Sequence, residues 1–78
     1  MITVQFYGIL KGIIGVREEQ YAHCPTMGEL VARVAERHPE LAGALSGTAT
    51  ACDEELVPRS AALPEGCTVA LLPPVSGG

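Results

Sequence analysis

Residues 25–39 read PTMGELVARVAERHP, and this stretch decides the fold because it carries the long helical pattern of the chain. Apolar residues recur in it at spacings of three and four, which places them on one helical face: Met27, Leu30, Val31, Val34 and Ala35. Thr26 followed by Glu29 is the signature of a capping box. Pro39 disfavours helical backbone at the residue before it. We therefore expect a helix over residues 27–38 with one apolar stripe to cover.

Extended segments flank this helix on both sides. Ile2, Val4 and Phe6 alternate with more polar residues, so a strand is predicted over residues 2–8 with these three on one face. A second strand is expected at residues 16–23, and the glycine-rich stretch before it is expected to form a long hairpin turn. Downstream of the helix we expect one helical turn at 41–45, strands at 48–52, 56–57 and 68–72, and a polar turn at Asp53, Glu54 and Glu55.

The resulting order is ββαβββ, an α+β pattern in which one main helix covers a mixed sheet of four to five strands. This is the β-grasp arrangement, with the first and last strands as parallel neighbours. A chain of 78 residues is sufficient for one small domain and too short for a large enzyme core. We therefore expect a non-enzymatic domain.

Charge and cysteine content exclude several classes of function. Nine acidic residues against five basic ones make nucleic acid and anionic membranes poor partners. Cys24, Cys52 and Cys67 lack the spacing of a zinc site or a disulfide framework. The N-terminus has no basic region or cleavage motif of a signal peptide, and no apolar run approaches a membrane span. The expectation is a cytoplasmic protein with no bound metal or cofactor.

The uncharged C-terminal end holds the candidate reactive group of the chain. The last strand runs into Pro73-Pro74, which lack N–H donors and stop a sheet ladder, and Val75-Ser76-Gly77-Gly78 follow. Two glycines make a thin tip that can enter a narrow channel and leave the Gly78 carboxylate open to attack. Because an ionised carboxylate resists nucleophiles, it must first be activated, for example as an acyl-adenylate.

The terminus PPVSGG and the element order resemble the small subunits of molybdopterin synthase, which are ubiquitin-like sulfur carriers. The resemblance implies a single sulfur-carrier domain over 1–78 with a flexible tail at 73–78. It implies that Gly78, beside Gly77, is adenylated by a ubiquitin-activating-like adenylyltransferase that uses ATP. The glycine then becomes a thiocarboxylate that donates sulfur to cyclic pyranopterin monophosphate, in molybdenum cofactor biosynthesis. The implied partners are this adenylyltransferase, a sulfur donor protein and the large synthase subunit.

The same resemblance implies an exposed apolar patch on the outer sheet face and a tail that contacts the partner. The matching residues are Tyr7, Leu56, Leu72, Pro73, Pro74, Val75 and Ser76. Other sulfur acceptors stay open: thiamine, thiolated tRNA, cysteine or a secondary metabolite. The segment LVPRS at 56–60 is similar to the thiamine-pathway carriers, which generally lack the Pro-Pro step. A ubiquitin-like modifier of lysines and an inert interaction module are the remaining alternatives.

Overall fold

A five-stranded mixed sheet forms the framework of the protein in the computed structural model, which describes residues 1–74. The elements in chain order are β1 (Ile2–Phe6), α1 (Gly8–Ile14), β2 (Glu18–Tyr21), α2 (Met27–Arg37), a 3-10 turn (Pro39–Leu41), α3 (Ala42–Leu45), β3 (Ala49–Cys52), β4 (Glu55–Leu56) and β5 (Thr68–Leu72). This confirms the α+β, β-grasp prediction. The expectations for Val75, Ser76, Gly77 and Gly78 lie outside the described residues.

The spatial strand order is β2-β1-β5-β3-β4. β1 and β5 are parallel neighbours at its centre, with Val4 opposite Val69 and Phe6 opposite Leu71, as the element order predicts. β2 runs antiparallel to β1 at one edge, and β3 and β4 continue the sheet on the other side of β5. The C-terminal tail therefore begins at the end of a central strand, β5.

The core lies between one face of this sheet and α2. Burial alternates along β1 and β5, so that Ile2, Val4, Phe6, Val69 and Leu71 are at most 1% exposed. The predicted stripe of α2 faces them: Met27, Leu30, Val31 and Val34 are buried, and Ala35 is partly buried against the core. Full burial of each large aliphatic side chain contributes about 1.5–3 kcal/mol, so this layer dominates the stability of the domain.

Thr26 caps the N-terminus of α2 as expected. The Thr26 hydroxyl accepts a hydrogen bond from the Glu29 backbone N–H at 3.3 Å. The helix ends at Arg37, one residue earlier than expected, because His38 is the C-cap and donates its backbone N–H to the Val34 carbonyl. A 3-10 turn and α3 then supply the expected helical turn near Leu41 and Leu45.

The connection between β1 and β2 is a helix, so the predicted long turn is wrong. Gly12 lies inside this helix, where a glycine costs about 1 kcal/mol relative to alanine. Helix propensity therefore does not predict α1. Gly8 and Gly15 lie at the helix ends with φ of 53° and 73°, where the left-handed region favours glycine. β1 and β2 are correspondingly shorter than expected, and α1 and α3 accompany the main helix.

A two-residue turn joins β3 to β4. Asp53 and Glu54 have φ of 47° and 73°, and Cys52 pairs with Glu55 across the turn. Paired positive φ values match the right-handed twist of a hairpin. Glu55 thus belongs to β4 and not to the predicted three-residue turn. β3 begins at Ala49 and β4 ends at Leu56, each one residue inside its predicted bound.

A polar cluster ties the edge strand β2 to the end of α2. Oε1 of Glu19 lies 2.8 Å from Nε2 of His38 and accepts a hydrogen bond from the Tyr21 hydroxyl at 3.1 Å. The Arg37 guanidinium lies 3.7 Å from the same oxygen and 3.9 Å above the Tyr21 ring. Burial by itself raises the pKa of Glu19, but the hydrogen bonds from His38 and Tyr21 and the charge of Arg37 outweigh it and lower the pKa.

A lowered carboxyl pKa in the folded state makes the stability contribution of Glu19 dependent on pH. It is present above the unfolded value, 4.5, and is lost as the pH falls through the lower folded value. We expect Glu19→Gln to reduce the free energy of unfolding by about 1–2 kcal/mol near neutral pH. The difference from wild type should shrink below about pH 4. Urea unfolding of both proteins at several pH values measures this, and a pH-independent difference would contradict it.

Candidate functional site

The base of the C-terminal tail packs against the start of α1. β5 ends at Leu72 and Pro73 follows directly, so the proline pair ends the described sheet as predicted. A Cβ built on Gly8 would lie 3.1 Å from Cγ of Pro73, which shows how closely the Gly8 backbone approaches the Pro73 ring. Pro73 is half-buried in this contact and Pro74 is exposed. The first residues of the tail are therefore held against the body of the protein.

Tyr7, Leu56 and Leu72 lie on the outer face of the sheet, opposite the helices. Tyr7 keeps extended backbone, with φ −121° and ψ 162°, so the alternation of β1 continues and directs its side chain away from the core. Tyr7 is 45% exposed and Leu56 is 69% exposed, whereas Leu72 is half-buried. Strand alternation at Tyr7 and Leu72, and the pairing of Leu56 with Ala51, thus place all three on one face.

Small side chains separate the large ones on that face. Leu56 pairs with Ala51, Ala51 pairs with Ala70, and Ala49 pairs with Leu72. Neighbouring strands are about 4.8 Å apart, so Leu56 stands about 10 Å from β5 across a floor of alanines. These five residues, together with Tyr7, form what we call the outer-face patch. The alanines make the middle of the patch lower than its ends, where Leu56 and Tyr7 protrude. A surface of this shape can accept a protruding apolar segment of a partner.

An acidic rim borders the outer-face patch. A depression of about 510 Å³ is lined by Gln5, Tyr7, Asp53, Glu54, Thr68 and Ala70. The β3–β4 turn is held there because the Thr68 backbone N–H donates to Oδ1 of Asp53 at 3.0 Å, and the Asp53 N–H donates to the Thr68 carbonyl at 2.8 Å. No local sequence pattern indicates that these residues are neighbours, because their proximity depends on the pairing of β3 with β5.

The three cysteines are free thiols that pack as small apolar residues. Cys24 and Cys67 are buried and Cys52 is half-buried. Burial raises the pKa of Cys67 to about 11, with a further increase from the hydrogen bond with Cys52 and from the Asp53 charge. A thiol with a raised pKa is a poor nucleophile at neutral pH, so Cys67 is not suited to covalent chemistry.

Residues 1–74 contain no group of three or more His, Cys, Asp or Glu side chains placed to hold a metal ion. None of the helices in this part of the chain has the length and apolarity needed to cross a membrane.

The parallel pair of central strands and the helix across one face define a ubiquitin-like domain of the β-grasp class. A sequence profile of the ThiS family matches residues 4–78. The chain therefore belongs to the ThiS family, which comprises ubiquitin-like sulfur carriers. Such carriers are generally non-catalytic subunits.

Solved structures with this fold carry several different names. SAMP1 from Haloferax volcanii superposes with a TM-score of 0.84 at 22% identity, over 99% of this chain and 98% of that one. A chain of the BexX/CysO complex from Amycolatopsis orientalis gives 0.83 at 24% identity, with both chains covered completely. The complex of subunits 1 and 2 of molybdopterin-converting factor from Helicobacter pylori 26695 gives 0.71 at 27% identity, over 99% and 97%. A search of curated proteins finds no significant match.

Proposed function

We propose that this chain is the sulfur-carrier subunit of a molybdopterin synthase, with the Gly78 carboxylate as its functional group. The observation that carries the proposal is the family match that extends through Gly77 and Gly78. The Pro73-Pro74 step before them and the 27% identity to the Helicobacter pylori molybdopterin-converting factor complex support this particular pathway.

The chemistry starts from a carboxylate that resists nucleophiles at neutral pH. An adenylyltransferase would join it to the AMP portion of ATP and release pyrophosphate. A hydrosulfide equivalent from a sulfur donor protein would then displace AMP, so that a C–S bond replaces the C–O bond to phosphate. The resulting Gly78 thiocarboxylate would donate its sulfur to cyclic pyranopterin monophosphate. ATP is consumed by the activating enzyme, and this chain supplies the acyl group.

The body of the carrier would serve to deliver that end. The outer-face patch exposes Tyr7 and Leu56, and burial against the large subunit would remove their apolar area from water. Pro73 and Pro74 would restrict the direction of the tail, because each fixes φ near −65°. Val75 and Ser76 would contact the wall of the partner's channel. Gly77 and Gly78 would enter its narrowest part, where a Cβ would clash.

Intact mass spectrometry tests the proposal. Incubation with the adenylyltransferase, ATP and a sulfur donor should increase the mass by about 16 Da, since one oxygen is replaced by sulfur. Fragmentation should locate the increase at Gly78. A variant lacking Gly77 and Gly78 provides the control and should show no change. An unchanged wild-type mass, under conditions in which a known carrier reacts, would refute the proposal.

A second candidate keeps the carrier and changes the acceptor. The family match is to ThiS, and the segment at 56–60 is similar to thiamine-pathway carriers, so a thiazole synthase is the competing partner. Affinity purification of the thiocarboxylated chain distinguishes the two. Recovery of a pterin synthase large subunit favours the first proposal, and recovery of a thiazole synthase favours the second. Peptides with Gly78 linked to lysine would indicate a protein modifier.

A further inference from the structure

α1 is apolar on both of its sides. Leu10 is fully buried and Ile14 packs partly against the core, which accounts for the inner side. Ile9 and Ile13 are one turn apart on the outer side and are 59% and 43% exposed. Lys11 is the charged side chain of this helix. The outer side of α1 therefore presents aliphatic surface that nothing in residues 1–74 covers.

Ile9 forms one wall of an uncharged groove of about 390 Å³ at the tail base. The rest of its lining comes from Pro73 and Pro74 and from Gly43, Ala44, Ser46 and Gly47. A Cβ on Gly43 or Gly47 would meet nothing within 4 Å, so there is open space above these glycines. The groove is bounded by α1 and α3, which lie on the helical side of the sheet. It is distinct from the outer-face patch on the opposite side.

The position of the tail limits which partners can cover the groove. Four residues follow Pro74 in the sequence, and a fully extended chain spans about 3.3–3.6 Å per residue. Any protein that acts on Gly78 must therefore bring its active site within about 14 Å of Pro74, which is itself a wall of the groove. Whichever acceptor receives the sulfur, the carboxylate must first be activated. The activating enzyme is the partner that all acceptor pathways share.

We propose that the groove is a docking site for the adenylating enzyme, which inserts an aliphatic or aromatic side chain between Ile9 and the two prolines. The inference rests on the proposed carrier function and adds a second contact surface to it. The groove suits an apolar side chain because no charged side chain lines it. Binding of the enzyme over the groove would hold the base of the tail from both sides while the Gly78 carboxylate reacts.

Two substitutions test the groove, each with a matched control. Ile9→Ser removes one wall of the groove. Ile13→Ser changes another exposed isoleucine of the same helix, one that does not line the groove. Gly43→Glu places a charge in the groove, and Gly12→Glu places one at an exposed glycine of α1 with equally open surroundings. In ATP–pyrophosphate exchange by the adenylating enzyme, both groove variants should raise the KM for the carrier about tenfold. Their kcat and both controls should stay close to wild type.

The outcomes separate this inference from the function on which it rests. If wild type supports no exchange, the carrier proposal itself fails. If wild type is active and groove variants match their controls, the docking site is overturned and the carrier function stands. If Ile9→Ser instead abolishes self-association of the carrier without changing KM, the groove binds a second copy and the proposal is wrong. Thermal unfolding of each variant shows that the comparison is made between folded proteins.

Discussion

Addition of one alanine after Gly78 is expected to abolish thiocarboxylate formation. The added residue moves the carboxylate by about 3.3–3.6 Å and places a Cβ next to it. A misplacement of about 1 Å at a reacting centre can already cost about 100-fold in rate. The mass increase of about 16 Da should therefore be lost, with the rate of adenylation reduced at least about 100-fold.

The matched control is a one-residue extension at the other end of the chain. The Met1 ammonium forms an exposed ion pair with Glu65, and an exposed pair contributes little to stability. An N-terminal extension should therefore leave both the fold and the modification intact. Full activity of the C-terminally extended chain would refute a mechanism that uses the Gly78 carboxylate.

Phe6→Ala is expected to lower the free energy of unfolding by about 3–5 kcal/mol. Phe6 is 1% exposed, pairs with Leu71 at the centre of the sheet and meets the His38 ring edge-on at a centroid distance of 6.0 Å. It is the one phenylalanine of the chain. Because small domains have total stabilities of about 5–15 kcal/mol, this variant should be largely unfolded in moderate urea.

The next residue provides the comparison. Tyr7 is also aromatic but is 45% exposed, so Tyr7→Ala should cost less than about 1 kcal/mol. Urea unfolding followed by circular dichroism measures both variants. Equal losses at the two positions would contradict the assignment of Phe6 to the core and Tyr7 to the outer face.

Periodicity predicted the elements whose burial pattern is regular. The stripe of α2 and the alternation of β1 and β5 are set by which side chains leave water, and this is encoded within a few neighbouring residues. The position of Tyr7 on the outer face follows from the same alternation. α1 was missed because Gly12 weakens its helical propensity, and the helix is instead stabilised by packing of Leu10 and Ile14 on the core.

The sequence by itself determined the β-grasp order, the buried stripe of α2, the alternation of β1 and β5 and the glycine-ended tail, because each depends on local pattern or on chain chemistry. Only the tertiary structure decided which distant segments meet at the tail. Pairing of β1 with β5 brings Gly8 against Pro73, and packing of α3 beside them completes the groove with Gly43 and Gly47. Pairing of β3 with β5 likewise brings Asp53 to the outer-face patch. These contacts join residues far apart in the chain, and no local periodicity records them.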